Sequence, residues 1–103
     1  MTNEQFEIEL EKSILRSKQV LGKKRLEYAS DTDRLHNFKQ TAVMESKPPT
    51  ETLFSMADKH IASIADMVKN PHIYTLKQWH AKTVDLRNYT ILLEAVLVDI
   101  GVE

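Results

Sequence analysis

Phe6, Leu10, Ile14 and Leu21 recur at steps of four or seven residues, with Glu, Lys and Arg filling most positions between them. That spacing predicts a long one-sided helix from about Asn3 to Leu26. Glu4, Glu7, Glu9 and Glu11 lead this segment and Arg16, Lys18, Lys23, Lys24 and Arg25 trail it. The order complements a helix dipole, which alone explains most of the basic cluster. From Glu27 to Asn37 the stripe stops and turn-forming residues take over, the pattern of a structured loop. A short second helix is expected over about Arg34 to Glu45, broken after it by Lys47, Pro48 and Pro49. Thr50 is expected to cap a third helix, with Glu51 in its first turn and Leu53, Met56, Ala57, His60, Ile61, Ile64 and Val68 as its buried stripe. Asn70 and Pro71 end it. Thr75 and Gln78 have capping-box spacing and open a fourth helix, which Gly101 closes as a residue just past the end. Trp79, Thr83, Leu86, Thr90, Leu93 and Leu97 form one stripe on it, while Ile91, Leu92, Val96 and Val98 extend the apolar surface to other faces. A helix apolar nearly all round must be covered on several sides, at the centre of a bundle or by another chain.

The expected fold is therefore all-α, a small helical bundle of three long helices and one short helix. Composition agrees, because 2 Gly and 3 Pro in 103 residues leave few breaks, far below the roughly 12 % of ordinary usage. The length fits a single domain, residues 1–103, with a small core, so association with a second copy is expected. The absence of cysteine excludes disulfides, thiolate zinc sites and a cysteine nucleophile. With 14 Lys+Arg against 15 Asp+Glu, no basic excess points to nucleic acid or an anionic membrane. The acidic start lacks the basic and apolar regions of a secretory signal, and the apolar stretch from Ile91 to Ile100 is too short to span a bilayer. A cytoplasmic protein without membrane contact is expected.

Three groups of residues carry chemistry. Asp85 and Asn88 stand three apart and share one helix face, an arrangement that suits Mg²⁺ when phosphates and water complete its octahedron. An exposed Asp85 paired with Lys82 or Arg87, beside a solvated Asn88, is the structural alternative. Asp58, Lys59 and His60 form a polar knot in which Asp58 suits a metal and Lys59 a phosphate; taken alone, the knot is better explained as a solvated Asp58/Lys59 edge with His60 reaching out of the core. Tyr28, in a polar loop after Lys23 and Lys24, suits contact with a nucleotide base, whereas Phe38 and Trp79 are expected in the core. The four histidines show no helical ligand spacing, and neither a Gly-rich phosphate loop nor a Gly-x-Ser-x-Gly elbow is present.

In order, Lys24-x-x-Glu27-Tyr28, Asn37-Phe38, Asp58-Lys59-His60 and Asp85-x-x-Asn88-Tyr89 span most of the chain. This series resembles the MazG-like all-α nucleoside-triphosphate pyrophosphohydrolases, in their phage and prophage branch linked to nucleotide modification. The resemblance implies a protein of a bacterial or phage-infected cell that binds Mg²⁺ and cleaves a nucleotide between its α and β phosphates. It implies Asp85, Asn88, Asp58 and Glu27 as metal ligands, with Asp85 and Asp58 catalytic. Lys59, Lys24, Tyr28 and Asn37 would meet substrate, and the assembly would be a homo-oligomer, a dimer or larger. The better-known enzymes of the group carry Glu-x-x-Glu facing Glu-x-x-Asp, whereas here Asn88 replaces one acid and Ser55 stands three residues before Asp58. Fewer carboxylates imply weaker metal affinity. A non-catalytic helical module that binds a nucleotide or a protein is the alternative. Nucleic-acid binding through Arg16 to Arg25 has the least support, since no aromatic is interleaved before Tyr28.

Overall fold

The computed structural model describes residues 1–23 and 33–103. In chain order it contains α1 (Asn3–Lys23), α2 (His36–Met44), α3 (Pro49–Met67), a 3₁₀ turn (Pro71–Ile73) and α4 (Leu76–Asp99). Among the described residues there is no strand, and the fold is an all-α small bundle of three long helices and one short one. No described helix is long and apolar enough to cross a membrane.

The ends follow local rules. At α4 the Gln78 amide donates to Thr75 Oγ1 at 3.1 Å and the Thr75 amide donates to Gln78 Oε1 at 2.8 Å, a complete capping box. Thr2 and Gln5 make the same reciprocal pair at the start of α1, a signal with identical spacing that the periodicity reading passed over. Gly101 has φ 83° and follows α4 as expected. The Gly101 amide donates to Val98 O and the Val102 amide to Leu97 O, which satisfies two carbonyls the helix end would leave open. Thr50, in contrast, does not cap α3. The helix begins two residues earlier, with Pro48 as cap and Pro49 in its first turn, because the ring presets the helical φ and needs no N–H there. His36 and Asn37 belong to α2 rather than to the preceding loop. The expected last turn of α1 (residues 24–26) and most of that loop lie outside the described residues.

The core is Leu35, which caps α2, Phe38 from α2, Leu53 from α3, and Leu92 and Val96 from α4, with Leu21, Met56 and Tyr89 packed against it. Phe38 is core as expected. Trp79 is only half-buried; its indole N–H donates to Pro71 O at 3.0 Å and its ring meets Tyr74 edge-on, tying the 3₁₀ turn to the start of α4. On α4 the buried row is Val84, Asn88, Leu92 and Val96, at strict steps of four. The expected stripe is rotated from this row. Thr83 and Thr90 are exposed and bond their own backbone, and Leu86, Leu93 and Leu97 are half-buried flanks. An all-round apolar helix carries several competing stripes, and the choice among them is made by α1 and α3 packing on different sides of α4. On α3, Leu53 and Ala57 are buried but Ile61 and Val68 are exposed, while Thr52 and Met67 are buried instead. Along α1, Phe6, Leu10 and Ile14 are exposed and only Leu21 reaches the core cluster. The bundle covers only the second half of this helix.

Candidate functional site

Ser13 and Ser17 of α1 pair with Arg87 of α4, while Val20 and Lys23 lie beside Ala81 and Lys77. These two helices therefore run antiparallel. So do α3 and α4, because His60 faces Asp85 while Ser63 and Met67 lie beside Gln78 and Ala81. Residues 25 apart in sequence are thus brought together where α1, α3 and α4 meet.

At that junction His60 Nδ1 lies 3.9 Å from Asp85 Oδ2, and the His60 ring stacks obliquely on Tyr89 with centroids 5.3 Å apart. The first distance is too long for a hydrogen bond. His60 Nδ1 is buried and has no hydrogen-bond partner among the described residues. Asp85 keeps 35 % of its side chain exposed and lines a groove between α1 and α4. Its polar neighbour on the facing helix is His60, and among the described residues neither Lys82 nor Arg87 pairs with it. Asn88, 5 % exposed, is not solvated: its Nδ2 donates to Ser17 O at 3.3 Å, and its Oδ1 is buried without a partner among the described residues. Arg87 completes a polar clamp, donating from Nε to Ser17 Oγ at 2.6 Å and from Nη1 to Ser13 Oγ at 2.8 Å. Sequence reasoning missed Ser13, Ser17 and Arg87. Their signal was a pair of serines four apart inside an otherwise charged and apolar helix.

Asp58 and Lys59 stand exposed on α3, and among the described residues no hydrogen bond or ion pair joins either to Asp85 or Asn88. Asn37 is half-buried on α2. Lys24, Glu27 and Tyr28 lie outside the described residues. Among the described residues no group of three or more His, Asp or Glu side chains is placed to hold a metal. What the junction does offer is one accessible carboxylate, Asp85, with His60 Nδ1 3.9 Å from it and Asn88 three residues further along α4. That set fits a Mg²⁺ delivered with phosphate oxygens, which needs one or two protein carboxylates, better than a cage built wholly from protein.

Elsewhere, Lys39 of α2 bridges Asp33 at 2.6 Å and Asp99 of α4 at 2.9 Å. The Lys39 ammonium, with a further bond from the Leu35 amide, holds the Asp33 carboxyl below its ordinary value; Asp33 and then Asp99 hold Lys39 above its own. The Arg16 guanidinium, 2.9 Å from Glu9, likewise lowers the Glu9 carboxyl. No protein-family model, curated protein or solved structure matches the chain.

Proposed function

We propose that the chain is a Mg²⁺-dependent nucleotide pyrophosphohydrolase of the MazG-like all-α group, cleaving between the α and β phosphates in the cytoplasm of a bacterial or phage-infected cell. The observation that supports this reading is the meeting of the Asp58-Lys59-His60 and Asp85-x-x-Asn88-Tyr89 segments through the His60 contacts to Asp85 and Tyr89. A buried polar atom without a partner costs about 1–3 kcal/mol. His60 Nδ1 and Asn88 Oδ1 are two such atoms among the described residues, and a ligand or its hydration shell that reached them would satisfy both.

In this reading Asp85 holds the metal, with Asn88 Oδ1 and, by the resemblance, Glu27 as further oxygen donors. Bound Mg²⁺ neutralises phosphate charge and polarises the attacking water. Asp58 is the second acid that the resemblance assigns; its exposed position on α3 suits a role that begins when substrate arrives. Lys59, Lys24, Tyr28 and Asn37 are the substrate contacts. The decisive experiment incubates purified protein with a panel of ribo- and deoxyribonucleoside triphosphates and Mg²⁺ and measures pyrophosphate. Mg²⁺-dependent release is expected, falling by about 100-fold or more in Asp85→Asn. Absence of release from every nucleotide overturns the reading.

A second reading, a non-catalytic helical module that acts by assembly, is favoured by the exposed Phe6, Ile8, Leu10, Ile14 and Leu15 on α1. Under it, Mg²⁺ leaves the melting temperature unchanged, whereas a metal-dependent rise favours the enzyme. Both readings include a homo-oligomer.

A further inference from the structure

The groove between α1 and α4, about 310 Å³ in volume, gathers Arg16 and Lys23 from one helix and Lys77 and His80 from the other, with Asp85 its one acidic lining residue. Two ordinary reasons for such a gathering fail. The helix dipole accounts for Lys23 in the last turn of α1, but Lys77 lies in the first turn of α4, where the positive helix end disfavours a cation. Ion pairing fails as well. Among the described residues neither Lys23 nor Lys77 has a carboxylate within salt-bridge distance. Arg16 gives Nη2 to Glu9, yet its Nε is buried without a partner. Lys77 set against the dipole beside Lys23, with neither paired to a carboxylate among the described residues, creates a positive potential that an anion relieves.

The charge is also spread along a line. Arg16 and Lys23 are seven residues apart, about 10 Å along one face of α1, and the antiparallel α4 sets Lys77 beside Lys23. A row of cations suits linked phosphates better than a single point anion, with the lysines acting as mobile charges and the guanidinium as a directional donor. Asp85 borders the same groove, so linked phosphates lying there would end beside the carboxylate that the junction exposes.

We propose that the α1–α4 groove, through Arg16, Lys23, Lys77 and His80, is a binding site for a short polyphosphate, either free or as the tail of a nucleotide. The groove assignment stands on its own charge geometry; the nucleotide source rests on the pyrophosphohydrolase reading. The test is calorimetric titration of the full chain in EDTA, so that no hydrolysis intervenes, with inorganic tripolyphosphate in one arm. A nucleoside triphosphate and the matching nucleoside form the other arms. Tripolyphosphate binding is expected, weakening steeply with added NaCl. Lys77→Glu should weaken it at least tenfold with an unchanged thermal melt. Lys23→Gln, on the other helix, should weaken it severalfold and serves if Lys77→Glu lowers the melt. No binding at millimolar tripolyphosphate, or equal affinity in wild type and both variants, overturns the site. Binding of the triphosphate but not the nucleoside, with the same loss in Lys77→Glu, supports the nucleotide source. Binding of tripolyphosphate alone supports the groove and overturns the nucleotide reading.

Discussion

Thr52 is 1 % exposed, and its Oγ1 has no hydrogen-bond partner among the described residues. A hydroxyl buried in this way gives up its hydration for nothing, at a cost of about 1–3 kcal/mol. Thr52→Val keeps the branched shape and removes the orphan, so it should raise stability by about 1 kcal/mol in urea unfolding; a loss of similar size would mean the hydroxyl has a partner in solution. Asn88 is only half satisfied. Its amide N–H holds α1 through Ser17 O, while its Oδ1 is buried with no hydrogen-bond partner among the described residues. That Asp85 and Asn88 share a helix face was legible from their spacing. What each one meets was not, because the partners Ser17 and His60 come from helices distant in sequence.

At the scale of elements, the acidic end of α4 is a poor match to its own dipole, and α2 corrects it. Asp99 meets Lys39 within the same chain, and Lys39 also holds Asp33. Asp33 sits below its ordinary value of 3.8, so its contribution is present above that pH and is lost as pH falls through the lower folded value. Lys39 sits above its ordinary 10.5, so its contribution is present below that pH and is lost as pH rises through the higher folded value. Lys39→Met should therefore melt below wild type between these limits. The gap should narrow once pH drops under 3.8 or climbs over 10.5. A gap that is constant across the whole range would assign the effect to packing of the lysine stem instead. Helix ends were the most legible elements. Thr75-x-x-Gln78 and Gly101 act through neighbours in sequence, whereas the start of α3 turned on which of Pro48, Pro49 and Thr50 took the cap.

For the whole molecule, the radius of gyration is 15.6 Å, against about 13 Å for a compact chain of this length. The excess reflects α1, whose first half extends past the bundle with Phe6 55 % exposed and Ile8, Leu10, Ile14 and Leu15 also uncovered. Its acids come first and its cations last, so two copies of α1 laid antiparallel would set Glu4 to Glu11 of one against Arg16 to Lys23 of the other. Sedimentation should show concentration-dependent dimers or larger species that Phe6→Ser with Leu10→Ser abolishes while the bundle stays folded. A strict monomer at micromolar concentration contradicts this assembly.

Among the described residues, the sequence by itself determined the helical class, the number and order of the helices, and most of their ends. Each of these follows from periodicity, proline and caps, which act over three or four residues. It also marked Asp85, Asn88 and the Asp58-Lys59-His60 knot as polar groups set among apolar ones. Tertiary structure alone decided which stripe of α4 is buried, that half of α1 is left uncovered, and that His60 faces Asp85 while Asn88 faces Ser17. Those choices depend on which helices pack together and at what rotation. An all-round apolar helix and a one-sided helix without a cover do not encode that rotation locally.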